Sequence, residues 1–154
     1  MTNNSGSALL SVKDLKVQYP TDEGVVKALD GVSFDIFPGQ TLGVVGESGC
    51  GKSTVGRAIM QILDKPGHVA GGGIDWSPEN GANLSIVDQK PNGMEMRTLR
   101  GGDIALVFQE PMTSLNPVFT CGDQVMEAII LHQRLDKKAA KILTIKLFEE
   151  VQLP

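Results

Sequence analysis

Two side chains with opposite roles in phosphate chemistry stand next to each other: the cation Lys52 and the hydroxyl Ser53. They stand near the end of the stretch Gly46-Glu47-Ser48-Gly49-Cys50-Gly51-Lys52-Ser53-Thr54. The spacing G-x-x-x-x-G-K-[ST] suits a loop that holds the phosphate tail of a nucleotide through backbone N–H groups. Glycines at 46, 49 and 51 permit positive φ and let the backbone approach the phosphates closely. Lys52 then supplies a point charge near the β- and γ-phosphates, and Ser53 a hydroxyl for Mg²⁺. The residues from Lys52 onward are expected to open a helix whose N-terminus adds partial positive charge.

Such a loop needs a strand behind it and a helix ahead of it. Residues 41–45, Thr-Leu-Gly-Val-Val, read as a buried strand. Val55, Ala58, Ile59, Ile62 and Leu63 recur at i, i+3, i+4, i+7 and i+8, one face of a helix. A Gly-rich turn carrying a solvated lysine is the plain alternative, and this flanking pattern disfavours it.

The chain has 154 residues, 41% hydrophobic and 21% charged, which suits one globular domain. The formal net charge of −4 and the lack of a basic stripe exclude an ordinary nucleic-acid binder. Basic residues between Arg134 and Lys146 alternate with apolar ones, as on a solvated helix face. The two cysteines, Cys50 and Cys121, are far apart without metal-ligand spacing, so they read as free thiols of a reducing compartment. No run approaches the roughly 18 apolar residues of a membrane helix. Residues 1–7 are polar and lack the marks of a signal peptide.

Residues 1–8 are expected to form a disordered tail. Strands are expected at 10–19, 25–29 and 32–37, with a turn at Pro20-Thr21-Asp22-Glu23-Gly24. This is an antiparallel β layer ahead of the P-loop. Lys65-Pro66-Gly67 should stop the P-loop helix. In the Gly-rich segment that follows, 73–76 and 84–87 are candidates for a loose hairpin around the only tryptophan, Trp76. A short helix is expected at 94–100. The apolar pentad 104–108 reads as a strand buried on both faces. Thr120 or Asp123 can cap a helix reaching about Arg134, with Val125, Met126, Ile129 and Ile130 as its core stripe. Asp136 can cap a second helix, with Ala139, Ala140, Leu143, Leu147 and Val151 as apolar positions.

Gln109 leaves the apolar pentad and enters the loop Glu110-Pro111-Met112-Thr113-Ser114-Leu115-Asn116-Pro117. Near a P-loop, a strand-end glutamine can give its amide oxygen to Mg²⁺ or sense the γ-phosphate and the attacking water. Alone it is more often a loop residue bonded to backbone.

At this point the sequence resembles a known family. Val45 to Ser53 looks like the P-loop of ABC transporter ATP-binding subunits, as does Leu99-Arg100-Gly101 running into 104–108 and Gln109. The string from Phe108 to Pro117 resembles the dipeptide/oligopeptide (and nickel) importer branch, and so does Ala28-Leu29-Asp30-Gly31-Val32-Ser33-Phe34. The resemblance covers about 9–154 and is weakest across 68–96. It implies an α/β fold: a P-loop NTPase core to about 119, incomplete, and the start of a helical subdomain over about 120–154.

The resemblance also implies roles. Tyr19 stands where the family stacks an aromatic on adenine. Residues 46–54 hold ATP, with Lys52 at the phosphates. Ser53 and Gln109 reach Mg²⁺, and Gln109 links the metal site to the transporter contact. Residues 110–117 line a groove for a membrane subunit. The implied partners are transmembrane permease subunits and a second ATP-binding subunit, at the cytoplasmic face of the membrane, with no nucleic acid. The implied work is ATP hydrolysis that energises import of peptides or nickel.

Three family features are missing from the 154 residues: a second acidic motif, a Leu-Ser-Gly-Gly-Gln-type signature and a switch histidine. His68 and His132 match neither the switch position nor its context. The chain is therefore expected to be an N-terminal portion, nearly inactive alone, with 41–45 and 104–108 at risk of exposing apolar surface. The second reading is a non-catalytic nucleotide-binding module. A GTPase is disfavoured by the lack of an Asn-Lys-x-Asp reader, and a small-molecule kinase by the lack of a basic lid.

Overall fold

Leu10, Val12, Leu15 and Val17 are buried while Lys13 and Asp14 between them are exposed. The buried positions thus change from even to odd numbers, which a regular strand does not allow. The computed structural model, which describes residues 7–79, 81–108 and 115–152, shows the cause. Strand β1 (Leu10–Thr21) carries a bulge between Val12 and Leu15, with Asp14 at φ 46°. The extra residue restores Leu15 and Val17 to the core face.

β1 turns at Asp22–Glu23 into β2 (Gly24–Ile36), paired antiparallel from Leu10↔Ile36 to Thr21↔Gly24. The two short strands expected at 25–29 and 32–37 are one continuous strand. The ladder passes through Asp30 opposite Lys16, and irregular register absorbs the polar interruption. On its other edge β1 pairs antiparallel with β3 (His68–Trp76), which pairs with β4 (Leu84–Ser85). The sheet order is β2-β1-β3-β4. The hairpin expected around Trp76 is present as Asp75↔Ser85 and Trp76↔Leu84, but β3 begins earlier, at His68. Trp76 is half-buried, and its indole Nε1 has no hydrogen-bond partner among the described residues.

Helix α1 spans Lys52–Ile59 and buries Val55, Ala58 and Ile59. It is shorter than expected. Gln61 takes φ 49°, and Ile62 N–H bonds to the Arg57 carbonyl, so the helix ends before Lys65-Pro66-Gly67. Ile62 and Leu63 follow it as half-buried loop residues. Helix α2 (Met94–Gly102) buries Met96 and Leu99 and breaks at Arg100 (ψ 118°) and Gly101 (φ 78°).

The two core strands expected at 41–45 and 104–108 do not form. Val44 is 53% exposed, Val45 93% and Val107 92%. Residues 41–47 have no regular structure, and Ile104 makes only an isolated bridge with Arg100. Among the described residues neither segment joins a ladder, and a strand without ladder partners leaves its N–H and C=O groups to water. Alternation survives in part: Ile104 and Leu106 are half-buried, while Ala105, Val107 and Phe108 are exposed.

The chain divides into two compact units, residues 1–97 and 98–154. The second contains α3 (Cys121–Gln133) and α4 (Lys137–Glu150), which pack on each other. Thr120 Oγ1 accepts from Asp123 N–H at 3.1 Å, and Asp136 Oδ1 accepts from Lys138 and Ala139 N–H at 2.8 and 2.9 Å. Arg134 ends α3 in the left-handed conformation. The expected stripe of α3 is only partly core: Ile129 is buried, Val125 and Met126 are half-buried, and Ile130 is exposed. In α4, Ala140 is buried and Ala139 and Leu143 half-buried, while Leu147 is exposed and Val151 lies exposed past the helix end. The expected tail at 1–8 lies mostly outside the described residues. Among the described residues no helix is long and apolar enough to cross a membrane.

The double acceptor at Asp136 gives the first prediction. Asp136→Ala lowers the stability of the chain by about 1 kcal/mol, read from urea unfolding followed by circular dichroism, whereas Asp136→Asn retains most of it. Equal stability of the Ala variant and the parent would rule out this cap as a contributor.

Candidate functional site

The Gly-rich loop leads directly into α1. Gly49 (φ 82°) and Gly51 (φ 94°) adopt left-handed conformations, while Gly46 does not. A Cβ on Gly46 would lie 2.6 Å from Cys50 Sγ, the end of a side chain that can turn aside. Gly51 is constrained twice. Its φ disfavours any side chain, and a Cβ would stand 2.6 Å from the Ala28 carbonyl oxygen and 2.8 Å from Leu29 Cδ2. The loop therefore rests on β2 through an atom pair that tolerates nothing larger than hydrogen.

Gly51 is also the N-cap of α1, and no side chain caps the helix. No acidic residue occupies its first turn. The first N–H groups of the helix keep their capacity for an external acceptor, and the helix dipole favours an anion there. This is the arrangement a phosphate requires.

Lys52 folds back over the loop. Its ammonium donates to the Gly46 carbonyl at 2.8 Å and the Glu47 carbonyl at 2.6 Å, with Cys50 Sγ at 3.5 Å. The charge is thereby held against the loop backbone at Gly46 and Glu47. Ser53 and Cys50 are exposed, and residues 46–50 are exposed throughout. Ser53, in the first turn of α1, presents a hard oxygen suited to Mg²⁺. Among the described residues no group of three or more His, Cys, Asp or Glu can hold a metal alone. A cation beside Ser53 would take most of its ligands from phosphate and water.

Tyr19 lies in the same unit. Its β1 position pairs with Val26, while Val17 pairs with Leu29, the side chain beneath Gly51. The ladder thus sets Tyr19 two residues along β1 from the rung that supports the phosphate loop. The ring is half-buried. Gln109, with Glu110 to Ser114, lies outside the described residues. Leu115 to Pro117 are exposed. His68 begins β3 opposite Gln18, and the His132 imidazole packs against Gly101 in the second unit. Sequence reading did not single out Ala28 as the floor of the loop. The signal available was only the short distance in chain between β2 and the glycines.

A phosphate-binding loop opening an uncapped helix, attached to an antiparallel sheet, defines a P-loop nucleotide-binding protein of α/β class. The chain belongs to the ABC transporter family, whose model matches residues 29–152. It is 42% identical over 147 residues to a dipeptide transport ATP-binding protein of Bacillus subtilis, covering 95% of this chain and 42% of that protein. It is 41% identical over 147 residues to an oligopeptide transport ATP-binding protein of the same organism, covering 95% and 39%. A glutathione import ATP-binding protein of Escherichia coli is 37% identical over 147 residues, covering 95% and 23%. The chain spans about two-fifths of the length of the dipeptide and oligopeptide relatives.

The contact beneath Gly51 gives the second prediction. Gly51→Ala forces both a left-handed alanine and an overlap with backbone, costing roughly 1–3 kcal/mol of stability. Thermal unfolding should shift down accordingly, and a variant as stable as the parent would contradict the geometry.

Proposed function

We propose that this chain binds ATP with Mg²⁺ and forms part of an ATPase subunit that energises solute import. The observation carrying this reading is the Lys52 ammonium held within a glycine loop that opens an uncapped helix. Lys52 and the loop N–H groups, including those of Gly49, Gly51 and Ser53, hold the β- and γ-phosphates. Electrostatic stabilisation of this kind dominates phosphoryl transfer. Ser53 and Gln109 would hold the Mg²⁺, which when bound neutralises phosphate charge. Gln109 would also relay the state of the γ-phosphate toward the transporter contact. Tyr19 is read as the platform for the adenine base, a stack worth roughly 1–3 kcal/mol.

The transported solute is proposed to be a peptide, supported by the dipeptide, oligopeptide and glutathione relatives; nickel is the alternative that the loop at 108–117 brings. The partners proposed are permease subunits in the membrane and a second ATP-binding subunit, at the cytoplasmic face. The 154 residues contain no Leu-Ser-Gly-Gly-Gln-type string, so alone they are proposed to bind nucleotide without rapid turnover.

Calorimetric titration with Mg²⁺·ATP tests the core of this reading. The chain should bind, and Lys52→Ala should weaken binding at least about tenfold, the loss of one charge-assisted contact. A folded chain that gives no binding signal would overturn it. In parallel, phosphate release by the 154 residues should stay near background; turnover matching a complete subunit and abolished by Lys52→Ala would refute the claim of slow turnover.

A further inference from the structure

β1 and β3 run antiparallel with Val17 opposite Val69 and Gln18 opposite His68. One step further along this register, Gly67 falls opposite Tyr19. A Cβ on Gly67 would lie 2.4 Å from Tyr19 Cε1 and 2.6 Å from Cζ, far inside contact distance. The ring therefore lies over the Gly67 backbone, in space that any side chain would take. This is the reciprocal of an ordinary cross-strand pair, with one large ring covering a residue that has none.

The backbone at Gly67 is itself fixed. Gly67 N–H donates to the Asp64 carbonyl at 2.8 Å, and a Cβ would stand 2.8 Å from that same oxygen. The Asp64 carboxylate pairs with Arg57, in the last turn of α1. A chain of contacts thus runs from the phosphate-binding helix through Arg57, Asp64 and Gly67 to the Tyr19 ring.

We propose that Gly67 is a positioning residue for nucleotide binding: its bare backbone seats the Tyr19 ring and holds it in the orientation that receives the base. The proposal rests on the reading of Tyr19 as the base platform. It assigns Gly67 no contact with nucleotide. Its effect should therefore appear with ligands that have a base and vanish with ligands that have only phosphates.

The full chain is titrated with Mg²⁺·ATP and, separately, with Mg²⁺·tripolyphosphate, as the parent and as Tyr19→Ala, Gly67→Ala and the double variant. Tyr19→Ala should weaken ATP between about fivefold and about a hundredfold. Gly67→Ala should weaken ATP about threefold to tenfold, within that stacking contribution. Tripolyphosphate affinity should be unchanged in both, and the double variant should match Tyr19→Ala. Tyr19 is the only tyrosine. The chain labelled with 3-fluorotyrosine then gives one fluorine resonance, which should move on Gly67→Ala without ligand and on ATP addition to the parent.

The outcomes separate the two claims. If the parent binds neither ligand, or Tyr19→Ala binds ATP like the parent, the base-platform reading fails and the proposal with it. If Tyr19→Ala loses ATP affinity while folded Gly67→Ala keeps it, only the proposal for Gly67 fails. Equal loss of ATP and tripolyphosphate in Gly67→Ala also overturns it, because the effect is then general. Should Gly67→Ala not fold, Asp64→Ala releases the turn from Arg57 without adding bulk. It should weaken ATP about twofold to threefold and spare tripolyphosphate; unchanged ATP affinity there overturns the proposal.

Discussion

The phosphate loop depends on the approach of Gly51 to the Ala28 carbonyl, too close to admit a Cβ. The contact fixes where α1 begins, because Gly51 is both the point of contact and the N-cap. It ties the loop to the sheet, because Ala28 lies in β2 between Lys27 and Leu29, which pair with Gln18 and Val17 of β1. The same pairing carries Tyr19. The two ends of the proposed nucleotide site are therefore referenced to one ladder. A shift of register in β1 and β2 would move both together, and a shift confined to the loop would separate them.

The buried sheet face accounts for this rigidity. Leu10, Val12, Leu15 and Val17 on β1, Leu29 on β2 and Ile74 on β3 are all buried. Each fully buried aliphatic side chain contributes on the order of 1.5–3 kcal/mol relative to exposure. The loop itself has no comparable burial. Residues 41–50 are exposed, so their conformation is set at one end by Gly51 and internally by Lys52. Rigid support beneath an accessible loop is the usual division of labour between scaffold and site.

Local chemistry was legible in the sequence wherever a residue acts on its immediate neighbours. Asp136 and Thr120 cap the helices expected of them, since capping involves only the next three residues. Lys52 opens α1 as the spacing requires. The family was legible too, through the P-loop and the string that ends at Pro117, and the match over residues 29–152 bears it out. The antiparallel layer and the pairing around Trp76 were legible as well; what failed were the two core strands, the bulge in β1 and the contact of Gly67. Residues 41–45 and 104–108 have strand composition, but composition supplies no neighbouring ladder. The parity change between Val12 and Leu15 conceals a bulge from any strict period-two reading. Gly67 was read only as a helix stop. Its closeness to Tyr19 is set by the β1–β3 register, and no local pattern in the sequence carries that information.

The hydrogen bonds of Lys52 to the carbonyls of Gly46 and Glu47 bear on how the loop meets an anion. The lysine is an internal ligand: it bridges the start of the loop to its end and closes a small ring of chain. The curvature is therefore built into the fold, and the entropy of shaping the loop is spent during folding. On the proposed reading, phosphate binding is an exchange, in which incoming oxygens replace carbonyl oxygens around the ammonium. Such an exchange would favour guests rich in closely spaced acceptors over singly charged ones, and would let the ammonium return to its carbonyls once the guest has gone.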